Sequence, residues 1–159
     1  MTDFTRLSND WTAWSNWMRM SNVSFSSEDG HDPVGFISDD GSFYLRQEGN
    51  WWVLDEANDR AQRYNNTASF SNFELAEKYL IWRWASNLTR APELGPELYA
   101  RGMNPDIVVE PTDSEWRFEL QSSGGKACLS EPDATVFSYL MLTPTDQIER
   151  RANQAVSRH

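Results

Sequence analysis

Residues 71–88 read S-N-F-E-L-A-E-K-Y-L-I-W-R-W-A-S-N-L, and the fold turns on how this stretch is read. Phe73, Ala76, Leu80, Trp84 and Leu88 recur at the spacing of one helical face. Leu75, Tyr79 and Trp82 form a second apolar row beside it. A helix with so wide an apolar surface is mostly buried. Glu74 and Lys78, an i,i+4 pair, mark its narrow polar side. At its start, Ser71 followed three residues on by Glu74 reads as a capping box, in which the serine oxygen and the glutamate each satisfy an orphan backbone N–H. Phe70 and Leu75 stand where a hydrophobic staple would form. The stretch predicts a central core helix.

Upstream, residues 34–65 predict a β-meander. Val34–Ser38 is a short strand, and Asp40-Gly41 is a hairpin turn of the kind that needs positive φ. Ser42–Gln47 alternates, with Phe43 and Leu45 on one face and Tyr44 and Arg46 on the other. Gly49-Asn50 is the next turn, and Trp51–Leu54 is apolar on both faces, as in a central strand. Residues 55–60 read as a polar turn and 61–65 as an edge strand. Before the meander, Leu7, Trp11, Trp14 and Met18 predict a core-facing helix over 9–19, capped by Ser8 or Asn9. Residues 26–33, S-S-E-D-G-H-D-P, have the composition of a loop.

Downstream, Pro92, Gly95, Pro96, Gly102 and Pro105 mark an irregular connection, with a short helix at 95–100 opened by Pro96. Ile107–Glu110 is a strand. Glu115–Leu120 alternates strictly, which predicts Trp116, Phe118 and Leu120 facing in. Ser122–Gly125 is a hairpin loop and Lys126–Leu129 the returning strand. One helix starts near Asp133. Another is signalled by T-P-T-D at 143–146, with Thr143 as cap and Pro144 at the first helical position, and with Ile148, Ala152 and Val156 inward. The hairpin turns are too short for crossovers, so the pairing is antiparallel. The predicted class is α+β: two antiparallel β-meanders packed with a central helix, an N-terminal helix and two C-terminal helices. The 159 residues form a single domain, 1–159, with sub-lobes 1–90 and 106–159 joined by the connection 91–105.

A chain of this length buries about 70% of its unfolded surface and needs no staples. The lone Cys128 permits no internal disulfide, which fits a reducing, cytoplasmic compartment. The opening M-T-D-F-T-R-L-S-N-D carries acids and no apolar core of a signal peptide, and no apolar run reaches membrane-spanning length. Asp and Glu total 24 against 14 Lys and Arg, a net charge of −10, and only Lys78 and Lys126 are lysines. Such a chain repels nucleic acid and anionic membrane and attracts a basic protein.

The search for chemistry finds no Gly-rich phosphate loop and no G-x-S-x-G elbow. Two histidines and one cysteine do not make a structural zinc site. Cys128 falls within a strand, as a packed thiol does. Asp29, Asp32, Asp39 and Asp40 read as solvated turn residues, and His31 as a solvated loop histidine. No cofactor and no enzymatic activity are expected.

The segment G-S-F-Y-L-R-Q-E-G-N-W-W-V-L-D-E-A at 41–57, followed by the F-E-L-A-E-K-Y-L helix, resembles the TNT antitoxins. These immunity proteins neutralise NAD-glycohydrolase effectors of the tuberculosis-necrotizing-toxin type. Arg46, Glu48, Trp52, Glu77, Tyr79 and Leu80 carry the resemblance in the first half, and Phe137, Tyr139, Leu140, Asp146 and Ile148 in the second. The resemblance spans roughly 5–152; the connection at 90–105 aligns poorly. It implies a stoichiometric inhibitor that binds the catalytic domain of a cognate toxin, one to one, and blocks NAD entry. Candidate toxin-binding residues are Glu28, Asp29, Asp32, Asp39 and Asp40, in loops at one end of the first meander, then Glu93, Glu97 and Arg101 in the connection. A small-ligand-binding or scaffolding α+β domain is the alternative, and an enzyme using carboxylates from 28–40 a third reading.

Overall fold

The computed structural model describes residues 2–28, 31–88 and 94–157. Among these the chain forms an α+β fold of five helices and eight strands. It divides into two compact units, 1–69 and 70–159. The first unit holds α1 (Thr5–Trp17), β1 (Ser24–Glu28), β2 (His31–Ile37), β3 (Ser42–Glu48), β4 (Trp51–Ala57) and nearly all of β5 (Arg63–Phe70). The second, starting at Phe70, holds α2 (Phe73–Leu88), α3 (Pro96–Ala100), β6 (Val108–Pro111), β7 (Arg117–Ser122), β8 (Gly125–Ser130), α4 (Asp133–Leu140) and α5 (Thr145–Ser157).

In the first unit the strands follow the order β1-β2-β3-β4-β5. Registers Phe25↔Phe36, Phe36↔Phe43, Val34↔Leu45 and Leu45↔Leu54 line up an apolar face. Helix α1 covers it. Leu7, Trp11 and Trp14 are buried, and the Trp11 ring meets Phe43 and Phe36 edge-on at 5.9 and 6.4 Å. Its indole N–H donates to the Ser24 carbonyl at 3.1 Å. The helix begins earlier than its spacing predicts. Ser8 and Asn9 lie inside it, and Ser8 N–H already bonds the Phe4 carbonyl at 2.9 Å. It also ends earlier, at Trp17. Met18, expected in the core row, is exposed, and Arg19 takes the left-handed region at φ 58°.

The polar run 26–33 is mostly strand, not loop. Ser26 and Ser27 pair with Gly35 and Val34, and the register slips between Ser27 and Glu28. Pro33 sits in that irregularity, where its missing N–H breaks no ladder bond. Cross-strand pairing here overrides local composition. Likewise β4 runs on through Ala57, and β5 occupies 63–70 instead of a short edge at 61–65.

In the second unit α2 is buried as its periodicity requires. Leu75, Ala76, Tyr79, Leu80, Ile81, Trp82, Trp84 and Ala85 are each at most 4% exposed. The Tyr79 ring lies 5.3 Å from Phe70 and 5.8 Å from Phe137. The cap is Asn72, not Ser71: Asn72 Oδ1 accepts the Leu75 N–H at 2.9 Å. Ser71 instead joins the β7–β8 hairpin. Its N–H donates to the Lys126 carbonyl at 2.9 Å, and its Oγ accepts the Lys126 N–H at 2.7 Å. Lys78, expected on a polar face, is 6% exposed. Its ammonium donates to the Met141 carbonyl at the end of α4, at 3.2 Å, and lies 3.6 Å from Glu74. A lysine at a helix C-terminus satisfies orphan carbonyls and complements the dipole.

Strands follow the order β8-β7-β6 in this unit. Leu120, Ala127 and Leu129 are buried, as are Phe137, Leu140, Ile148 and Ala152 on α4 and α5; Val156 is only half-buried. Helix α5 starts at Thr145, so Pro144 precedes it, and Thr143 Oγ1 donates to the Tyr139 carbonyl at 3.0 Å instead of capping. In the connection, α3 forms with Pro96 at its first position. The Trp82 indole N–H donates to the Leu94 carbonyl. Asn104 is tied to Ser138 through its backbone N–H and its side-chain amide, both at 3.0 Å. Trp116 departs most from expectation. It lies in the β6–β7 turn and is 72% exposed, because the pairing ends at Pro111↔Phe118 and inward alternation ends with it.

Candidate functional site

A set of interacting charges in the first unit lies on the face of β3 and β4 opposite α1. The register Tyr44↔Asp55, beside Arg46↔Val53, puts Tyr44, Arg46 and Asp55 there together. Asp55 is 3% exposed. Arg46 reaches it with two donors, Nε at 2.9 Å and Nη2 at 3.5 Å, and reaches Glu48 with Nη1 at 2.6 Å. Arg63 Nη2 is 3.6 Å from Asp55, and its guanidinium lies 4.2 Å from the centre of the Tyr44 ring. The fourth partner is backbone. Asn66, in the left-handed region at φ 52°, turns its N–H onto Asp55 Oδ1 at 2.8 Å. Asparagine tolerates that conformation better than most residues.

Burial alone would raise the Asp55 pKa. The Arg46 hydrogen bonds, the Asn66 N–H and the charges of Arg46 and Arg63 outweigh it and hold the carboxyl below its ordinary value. The same bonds, to Asp55 and then Glu48, raise Arg46. A carboxylate so held stays ionised at neutral pH and is a poor proton carrier. What the arrangement does is fix two arginines and a tyrosine at set positions on the strand face. The sequence pointed to Arg46 and Glu48 but placed Asp55 in a polar turn. No local signal marked it, since Trp51–Leu54 is apolar on both faces and Asp55-Glu56 polar on both.

The described acids singled out in the first unit do not lie at one end of its meander. Successive turns of an antiparallel meander lie at opposite ends of it. Glu28 ends β1 and Asp32 lies in β2, at the end opposite Asp39 and Asp40 in the β2–β3 turn. Asp29 and Glu93 lie outside the described residues. Asp39 and Asp40 are exposed and tie the turn to the segment after α1. Asp39 accepts from Asn22 Nδ2 at 2.6 Å, and Asp40 from the Ser21 N–H at 3.0 Å. Glu97 and Arg101 are exposed on and just after α3.

Among the described residues no group of three or more His, Cys, Asp or Glu is placed to hold a metal ion. Cys128 is half-buried in β8, with Arg117 Nε 3.0 Å from its Sγ. No helix among the described residues is long and apolar enough to cross a membrane.

A family model described as Immunity protein 61 matches residues 17–155. The chain belongs to the Immunity protein 61 family. The match runs from the last residue of α1 into α5, so both compact units belong to the family's pattern. An immunity protein binds a cognate toxin, and the resemblance seen in sequence holds at that level. A search of curated proteins found no match. Among solved structures, Rv3902c from M. tuberculosis is similar in fold, with a TM-score of 0.58 at 13% identity, covering 89% of this chain and 87% of that one.

Proposed function

We propose that this Immunity protein 61 member is a stoichiometric inhibitor. It binds the catalytic domain of its cognate toxin, an NAD glycohydrolase, in the cytoplasm of the producing cell and blocks NAD entry. The observation that carries the inhibitor reading is the family match over 17–155. The NAD-glycohydrolase target rests on the resemblance through Arg46, Glu48, Trp52, Glu77, Tyr79 and Leu80. A net charge of −10 supports a basic partner. Glu28, Asp29, Asp32, Asp39, Asp40, Glu93, Glu97 and Arg101 are the contacts proposed to meet it. As Glu28 and Asp32 lie at the end of the meander opposite Asp39 and Asp40, these acids act as a field that speeds encounter.

The test is NAD cleavage by the toxin encoded beside this gene, titrated with the purified protein. Activity should fall linearly and reach zero near a one-to-one ratio. Full activity in molar excess of a folded preparation sinks the inhibitor reading. A partner that binds without losing activity points instead to a chaperone or adaptor.

A further inference from the structure

The β6–β7 turn carries the most exposed aromatic side chain among the described residues. Trp116 is 72% exposed, against 52% for Tyr99, 47% for Tyr64 and 46% for Trp17. An indole so placed adds little to folding, since it removes little apolar area from water. The turn that carries it is ordered. Thr112 Oγ1 donates to the Arg117 carbonyl at 2.7 Å and lies 3.1 Å from that of Ser114, and Ser114 Oγ accepts the Trp116 N–H at 3.3 Å. The ring is therefore presented from a set backbone, which lowers the ordering entropy of binding.

Its surroundings are acidic. Asp113 and Glu115 flank it in the turn, both exposed, and Glu110 is exposed on β6 directly across from Glu119 on β7. Like charges opposite each other destabilise a strand pair. Neither is offset by a cation here: Glu110, Asp113, Glu115 and Glu119 make no ion pair among the described residues. The other exposed aromatics lack this setting. Trp17 and Tyr99 each have an arginine two residues on, Arg19 and Arg101, and Tyr64 adjoins Arg63. Strand β6 itself is four residues long and ends in Pro111, which guards an edge against added strands. The contact this hairpin offers is therefore through side chains.

We propose that the β6–β7 turn is the anchor of the toxin interface: Trp116 seats in an apolar recess of a basic protein surface, and Glu110, Asp113 and Glu115 receive that surface's lysines and arginines. The proposal rests on the inhibitor reading and adds the anchor to it. Tryptophan is the residue type most enriched among binding hot spots, and a rim of charges excludes water around it. An arginine from the partner can also stack on the indole face.

The experiment measures binding of the toxin domain encoded beside this gene to the full chain, by surface-immobilised kinetics. Trp116→Ala should raise Kd about thirty-fold or more, mainly through faster dissociation. Glu110→Gln, Asp113→Asn and Glu115→Gln combined should mainly slow association. Trp17→Ala should change neither rate. The denaturant midpoint shows whether each variant is folded, and Glu115→Lys gives an independent loss of binding if Trp116→Ala is not. Wild-type binding matched within two-fold by folded Trp116→Ala and Glu115→Lys overturns the anchor and leaves the inhibitor reading intact. A toxin that the wild type neither binds nor inhibits overturns both. A dimer of this chain that dissociates on Trp116→Ala, with toxin binding unchanged, overturns the anchor in favour of self-association.

Discussion

At the scale of single residues, Asp55 shows how a buried charge is tolerated. Its two oxygens are taken by Arg46, Arg63 and the Asn66 N–H. Because its folded pKa lies below the ordinary value of 3.8, its ionisation stabilises the fold at neutral pH. That contribution is full above the unfolded value and is lost as pH falls through the lowered one. Unfolding free energy should therefore drop below about pH 4, and Asp55→Asn should flatten that part of the profile. Arg46→Ala leaves the buried carboxylate with weaker partners. Breaking a buried pair costs about 3–5 kcal/mol, and the partial exposure of Arg46 puts the expected loss near the lower end. The loss should shrink on acidification, as Asp55 takes up a proton. Guanidinium denaturation at pH 7 and at about pH 2, below the lowered Asp55 value, reads both effects, and a loss under about 1 kcal/mol at pH 7 would show that the pair is not structural.

At the scale of elements, the start of α2 and the β7–β8 hairpin form one interlocked piece. Asn72 caps the helix with its oxygen and donates its amide to the Gly124 carbonyl at 2.7 Å. Asn72→Ala removes both bonds and should cost about 0.5–2 kcal/mol from the cap alone. Gly125 sits against this corner at φ 134°, and a Cβ there would lie 2.6 Å from Asn72 Nδ2 and 2.7 Å from Ser71 Oγ. Gly125→Ala therefore combines backbone strain with collision and should cost more than about 1 kcal/mol. A neutral Gly125→Ala in thermal denaturation would contradict the interlock. Deeper in the same unit, Trp84 is 3% exposed, so Trp84→Ala should cost about 3–5 kcal/mol. An unchanged denaturant midpoint would mean that α2 is not the core of its unit.

At the scale of the whole molecule, charge is the governing quantity. A net −10 spread over 159 residues acts over roughly 10 Å at moderate ionic strength. An inhibitor of a lethal enzyme must leave almost none free, so affinity should be about nanomolar, near −12 kcal/mol. Buried area alone does not supply this; a few desolvated anchors must. Field and anchor then separate kinetically. Raising salt from about 50 to 500 mM should slow association with a basic toxin far more than it speeds dissociation. Association rates that ignore salt would remove the steering role of the acids.

How much of this was legible without coordinates follows from the range of each signal. Helix α2 could be read because its apolar rows repeat every turn over 16 residues, and such periodicity survives any tertiary setting. The hairpins at Asp40-Gly41 and Gly49-Asn50 could be read because turn chemistry is local; Gly49 stands at φ 62°. Those two signals sufficed for the α+β class, and the residues around Arg46 and Tyr79 sufficed for an immunity protein. Most of the departures depend on partners outside the stretch being read. Residues 26–28 and His31 are strand because a neighbouring chain segment supplies their ladder, not because their composition favours it. Asn72 caps α2 because Ser71 is drawn to Lys126, 55 positions away. Lys78 is buried because a carbonyl of α4 lies in reach, 63 positions on. Asp55 is internal because two arginines and a turned peptide meet it there, and Trp116 is external because the β6–β7 ladder stops short of it. The candidate site consists of residues of this second kind, so only the tertiary structure could assemble it.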